Sequence, residues 1–133
     1  MENGTGNKNL VTGALGQIGS ELVPALRQRY GAKQVIASDI RIPAAGAHNR
    51  LFEQADCTQP LAIQDVVRRH EIGVVCHMAA FLSAIAEGRP QIAWSINLGG
   101  RYNVLEVARQ IGVSVFCPSS IVAFAENEMS GVA

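Results

Sequence analysis

The chain has 133 residues, 48% of them hydrophobic, with basic and acidic residues balanced at 11 each. That length points to a single domain able to bury roughly two-thirds of its unfolded surface. The balanced charge, with no basic stripe, argues against nucleic acid as a partner, and no apolar run approaches the roughly 20 residues of a membrane span.

The opening, Met1 to Asn9, is polar and lacks the apolar core of a signal peptide. A strand is predicted from Lys8 to Thr12. Helical periodicity follows, with Ile18, Leu22, Leu26 and Tyr30 on one stripe and Gly31 suited to the helix end. Val35 to Ser38 reads as a buried strand ending at Asp39. Arg41 to Arg50 reads as a surface loop, and Leu51 to Ala55 as a short third strand. Thr58 is expected to cap the next helix, with Pro60 in its first turn and Leu61, Ile63, Val66, Val67 and His70 on its inner side. Gly73 to Met78 is uncharged and apolar, as a strand covered on both faces should be.

A long helix is predicted from about Pro90 to Ile111, with Ile92, Ile96, Gly100, Val104, Val107 and Ile111 as its inward stripe. Gly99 and Gly100 each cost about 1 kcal/mol of helix propensity, which predicts a second backbone packed closely there. Trp94 and Tyr102, on the same helix, are expected in the core or in an interface. Val113 to Cys117 is the fifth strand, ended by Pro118. Helices between strands require parallel pairing. Right-handed crossovers then give an α/β, Rossmann-type, doubly wound parallel sheet with strand order 3-2-1-4-5. This domain occupies residues 1–124, and residues 125–133 form a tail without a strong pattern. Cys57, Cys76 and Cys117 are odd in number and widely spaced. They read as reduced thiols of an intracellular protein, cytoplasmic or from the mitochondrial matrix, rather than as a disulfide frame or a metal site.

Gly13-Ala14-Leu15-Gly16-Gln17-Ile18-Gly19 lies between the first strand and the first helix. In that context the first glycine permits the tight turn, the second lets backbone approach a pyrophosphate, and the third lets helix and strand pack closely. The helix N-terminus then offers free N–H groups and a partial positive charge to the phosphates. Asp39 follows Gly19 by 20 residues and ends the second strand, where a carboxylate can accept both hydroxyls of an adenosine ribose. A carboxylate there repels a 2′-phosphate, which favours NAD over NADP. Ile40 and Arg41 flank it, and a nearby Arg is also what can accommodate that phosphate.

The GxxGxxG spacing resembles the extended short-chain dehydrogenase/reductase superfamily of NAD-dependent epimerases and dehydratases. The resemblance implies that the Asp56 side chain and the Cys57 backbone hold the adenine. It implies that His77-Met78-Ala79-Ala80 runs beside the cofactor as the superfamily's His-x-Ala-Ala segment, and that Asn97 supports the active site. In Pro118-Ser119-Ser120, Ser120 matches the catalytic position. Within the superfamily, Gly13 to Gly19, Ser38-Asp39-Ile40-Arg41, Leu82-Ser83-Ala84 and Pro118-Ser119-Ser120-Ile121 together resemble short-chain-type L-threonine 3-dehydrogenases, over about Asn9 to Phe124. That family oxidises L-threonine to 2-amino-3-oxobutanoate with NAD. The likeness implies Ser83 as a substrate contact, Ser120 as the hydroxyl that polarises the alcohol, and a homodimer formed through the long helix. By themselves these residues also fit plainer roles: Asp56 as a helix cap, His77 as a packed histidine, Asn97 as a buried polar group, Ser83 as a loop hydroxyl, Ser119 and Ser120 as a strand end.

The superfamily's Tyr-x-x-x-Lys is absent. The only tyrosines are Tyr30 and Tyr102, followed four positions later by Gln34 and Glu106, and the only lysines are Lys8 and Lys33. An ordinary tyrosine has a pKa near 10, so no tuned base is available from these residues. Ala125 stands where the family pattern expects Gly, and the later strands and substrate lobe are missing. The expectation is the N-terminal part of such a dehydrogenase, inactive alone. The alternatives are a truncated product that holds NAD without turnover, and a nucleotide-sugar epimerase or dehydratase.

Overall fold

The computed structural model describes residues 6–44, 51–80 and 87–118. Side chains alternate across each strand, and in β1 (Lys8–Thr12) this sends Leu10 to one face of the sheet and Val11 to the other. Four further strands join it: β2 (Val35–Asp39), β3 (Phe52–Gln54), β4 (Ile72–His77) and β5 (Ser114–Phe116). They pair in parallel in the order β3-β2-β1-β4-β5, as the strand and helix alternation predicted. Leu10 stands opposite Ile36 on one side and Val75 on the other.

The helices cover both faces. On one face α1 (Gly19–Tyr30) places Val23 against Val11, Val35, Ala37 and Phe52. On the other, α2 (Pro60–Arg69) contributes Ile63, Val66 and Val67, which meet Leu10, Ile36, Ile72 and Val75. The predicted long helix is α3 (Pro90–Trp94), a π-type turn (Ser95–Gly99) and α4 (Gly100–Ile111) in direct succession, and Val104 and Val107 of α4 join the same core.

Four details of helix packing and capping differ from the sequence expectation, each for a local reason. An i, i+4 stripe drifts about 40° per step on a helix of 3.6 residues per turn. Ile18 and Tyr30, at the ends of the α1 stripe, are therefore exposed, while Leu22 and Leu26 pack partly against the core. Leu61 is 77% exposed because it lies two residues, over half a turn, from Ile63. The π-type turn adds a residue to the helical repeat, so the inward position before it is Ala93, and Ile92 is half-exposed. Finally, Thr58 does not cap α2. The Asp56 carboxylate accepts the Thr58 N–H (2.9 Å) and hydroxyl (2.7 Å), the cap position falls to Gln59 with no side-chain bond, and Pro60 opens the helix.

Long-range polar ties hold the layers. Arg27 of α1 donates to the carbonyls of Val35 (3.2 Å) and Leu51 (3.0 Å). Arg69 of α2 forks onto Glu53 of β3 at 2.9 and 3.1 Å. Gly100 clears the Cys57 thiol, since a Cβ there would lie 2.6 Å from Sγ. The close approach predicted at this glycine is therefore to a side chain and not to a second backbone. Trp94 and Tyr102 are 69% and 65% exposed, outside the core. Among the described residues no helix is long and apolar enough to cross a membrane.

Candidate functional site

The sheet order reverses between β1 and β4, and ligands of such sheets bind in the crevice beyond the strand ends at that point. β1 leads there into Gly13, whose φ of 66° lies in the left-handed region. A Cβ on Gly13 would lie 2.6 Å from the Ala79 nitrogen and 2.7 Å from the Met78 carbonyl carbon. The first glycine is therefore required twice, by the turn and by the chain leaving β4. Gly19 packs as tightly, because its Cβ would overlap the Gly13 carbonyl oxygen. Gly16 differs: the sole neighbour of a Cβ there would be that same oxygen at 3.3 Å, so its outer side is open.

The corner fits a pyrophosphate. Ala14 N–H is used by the Ser38 carbonyl (2.9 Å), Gly16 N–H by Gly13 (3.1 Å) and Ser20 N–H by Gly16 (2.9 Å). Among the described residues, the N–H groups of Gln17, Ile18 and Gly19 have no acceptor. They lie at the positive end of α1, where an anion is stabilised by both the dipole and the unpaired donors. Gln17 and Ile18 are exposed, and with Glu21 and Leu22 they line an open groove of about 420 Å³ beside the corner.

Asp39 ends β2 next to this loop and is 6% exposed. Its Oδ2 accepts the Leu15 N–H at 2.9 Å and its Oδ1 the Arg41 N–H at 3.0 Å. The Arg41 guanidinium lies farther off, at 3.3 and 3.4 Å. Burial alone would push this carboxyl up. The Arg41 N–H and guanidinium and the Leu15 N–H outweigh it and hold the group below the usual carboxylate range, hence ionised at neutral pH.

A cavity of about 320 Å³ opens past the ends of β2 and β3, lined by Ile40, Asp56, Thr58, Gln91, Ile92, Ser95 and Ile96. Its walls combine apolar side chains with a few polar groups, the usual make-up of a small-molecule site. The structure thus brings Ile40 and Asp56 together, and the Asp56 carboxylate both lines the cavity and organises the turn before α2. Cys57 faces away, its thiol against Gly100 and its carbonyl accepting from Asn103 Nδ2 at 3.0 Å. Burial, reinforced by Asp56, pushes the Cys57 thiol up to about 11, so it is inert at neutral pH.

Met78 and Ala79 lie against Gly13, and Ala80 is exposed just beyond. Asn97 sits half-buried in the π-type turn, between Ile96 of the cavity and Gly100. His77 is buried, its Nδ1 2.8 Å from the Thr12 hydroxyl oxygen. That oxygen also accepts the Met78 N–H at 3.1 Å, which leaves the hydroxyl proton free to point at Nδ1. Burial, with a contribution from the Arg101 charge, pulls His77 down to about 4. It is a packed, neutral histidine that joins β1 to β4. Ser83 and Ser120, the expected substrate contact and catalytic hydroxyl, lie outside the described residues. Sequence reading overlooked Gln91, Ser95 and Thr58 as cavity residues and Thr12 as a partner of His77. Nothing local marks them, since each is defined by an element distant in sequence.

A parallel sheet that reverses order where a glycine corner meets a helix N-terminus belongs to the Rossmann-type nucleotide-binding domains. The comparison with known proteins narrows that class, because the model of the NAD dependent epimerase/dehydratase family matches residues 9–129. The chain belongs to this family. It is 47% identical over 119 residues to an uncharacterized epimerase/dehydratase of Staphylococcus epidermidis, covering 88% of this chain and 37% of that protein. Among solved structures, the L-threonine dehydrogenase of Clostridium difficile matches with a TM-score of 0.82 at 39% identity, over 88% of this chain and 37% of that one. A GalE-like L-threonine dehydrogenase from Cupriavidus necator, in its holo form, matches with a TM-score of 0.81 at 47% identity, over 87% and 38%. The chain spans well under half the length of each.

Proposed function

We propose that this chain is the NAD-binding part of an oxidoreductase that oxidises L-threonine at its secondary alcohol to 2-amino-3-oxobutanoate. The observation that carries the NAD reading is the corner at Gly13, Gly16 and Gly19, with N–H groups that have no acceptor among the described residues, beside an ionised Asp39. The choice of threonine rests on the likeness to the two L-threonine dehydrogenases. In this reading the segment Gly13, Leu15, Gly16, Gln17, Ile18 and Gly19 holds the pyrophosphate. Asp39, flanked by Ile40 and Arg41, holds the adenosine ribose and disfavours a 2′-phosphate. Asp56, which lines the 320 Å³ cavity, holds the adenine edge together with the backbone N–H of Cys57, whose carbonyl is already taken by Asn103. Met78, Ala79, Ala80 and Asn97 border the rest of the cofactor. Ser83 contacts the substrate, and Ser120 polarises its hydroxyl. Bound NAD supplies the hydride acceptor.

Titration calorimetry tests the cofactor assignment. Asp39→Ala should weaken NAD binding at least tenfold, since a hydrogen bond to a charged group contributes about 1.5–3 kcal/mol. An unchanged isotherm refutes the ribose assignment. The catalytic base is a separate matter. The sequence holds no Tyr-x-x-x-Lys, so the 133-residue chain with NAD and L-threonine should form no NADH above the threonine-free blank. Measurable turnover would overturn the view that the base is missing.

A further inference from the structure

We infer that Asp39 is also a strut for the phosphate loop, so that the ribose and pyrophosphate subsites are built on one carboxylate. The inference deepens the cofactor reading above and rests on it. Asp39 sends its two oxygens in different directions. Oδ1 accepts the N–H of Arg41, two residues on, while Oδ2 accepts the N–H of Leu15, 24 residues earlier and in the middle of the glycine loop. The adjacent Ser38 carbonyl accepts the Ala14 N–H at 2.9 Å. Two consecutive residues at the tip of β2 thus hold two consecutive residues of the loop. The neighbouring amides of Gln17, Ile18 and Gly19 have no acceptor among the described residues, so Asp39 and Ser38 supply the loop's ties to β2.

The geometry leaves room for a ribose as well. A carboxylate offers about four acceptor sites. The two N–H donors, at 2.9 and 3.0 Å, occupy two of them. The guanidinium of Arg41 approaches the others at only 3.3 and 3.4 Å, on a side chain that is 62% exposed. Ribose hydroxyls would displace this loose guanidinium and leave the Leu15 strut in place. A single buried group then orders the loop before the ligand arrives and grips the sugar afterwards.

An NAD analogue whose adenosine ribose lacks both hydroxyls separates the two roles. If Asp39 acts through the ribose alone, Asp39→Ala leaves the affinity for this analogue unchanged or tightens it. If Asp39 is also a strut, the variant binds the analogue at least fivefold more weakly than the wild type does. Charge predicts the opposite sign, because removing a carboxylate favours an incoming pyrophosphate. A loss therefore reports loop order. In the ligand-free protein, exchange of the Leu15 amide should also be at least tenfold faster in the variant. Asp39→Asn, which keeps the shape and can serve only one of the two N–H groups with its single oxygen, should show smaller changes in the same direction. It serves as the test should the alanine variant not fold. Analogue affinity no weaker than wild type together with wild-type Leu15 exchange overturns the strut while leaving the ribose reading intact. A wild-type protein that binds NAD and the analogue equally overturns the ribose reading instead, and the exchange rates still decide the strut.

Discussion

Replacing Gly13 by Ala should destabilise the domain by about 2–5 kcal/mol and remove NAD binding with it. Two costs add. An L-residue in the left-handed region costs about 1–2 kcal/mol, and Gly13 sits at φ 66°. The new methyl group would also come within 2.6–2.7 Å of backbone atoms of Met78 and Ala79. Those atoms cannot retreat easily, because Met78 N–H is bonded to both the carbonyl and the hydroxyl of Thr12. Forced overpacking of that kind costs typically about 1–3 kcal/mol. Against a total stability of about 5–15 kcal/mol for a typical domain, the loss is large. Urea unfolding followed by circular dichroism measures it as a fall in midpoint at unchanged slope. Gly16→Ala is the internal control, since its methyl group meets a single atom at 3.3 Å and stability should change by less than about 1 kcal/mol. Equal losses in the two variants would disprove the packing argument for the corner.

Mild acid should weaken the fold through His77. The unfolded histidine takes up a proton near pH 6.5, whereas burial and Arg101 hold the folded one down to about 4. Between those two values the unfolded state binds more protons. Stability therefore rises with pH across that window and falls as pH drops through it. The structural cause is burial of the ring, with the Arg101 charge adding to it; the neutral ring is also the form that can accept the Thr12 hydroxyl proton at Nδ1. From pH 7 to pH 4.5 the loss should be on the order of 2–3 kcal/mol, given about 1.4 kcal/mol per pKa unit. His77→Asn retains a polar partner for Thr12 and does not titrate. It should start less stable at pH 7 yet lose little more over the same range. Parallel pH profiles for the variant and the wild type would rule out His77 as the group responsible.

Much of this architecture is written locally. The first strand at Lys8 to Thr12, the apolar runs at Val35 to Ser38 and Gly73 to Met78, and the helical spacing of Val104 and Val107 specify elements without reference to partners. Strand order then follows from connection rules, and it agrees with the sheet. Gly13 is legible for a similar reason, since a glycine between strand and helix marks a turn that other residues resist. Helical periodicity holds only within a limited range. An i, i+4 row winds off the buried face, so the α1 stripe ends before Ile18 on one side and Tyr30 on the other. The α4 stripe does not continue back to Ile92, because a π-type turn that periodicity cannot reveal lies between them.

The class of fold, the glycine corner and the acid at the tip of the second strand are encoded locally, because each is set by bond geometry and side-chain period within a few residues. The tertiary structure decided the pairings: Leu15 with Asp39, Thr12 with His77, Cys57 with Gly100, and the cavity shared by Ile40, Asp56 and Ser95. Such contacts join residues tens of positions apart. Their distances come from how two helical layers settle on a twisted sheet, and no local preference of the chain encodes that.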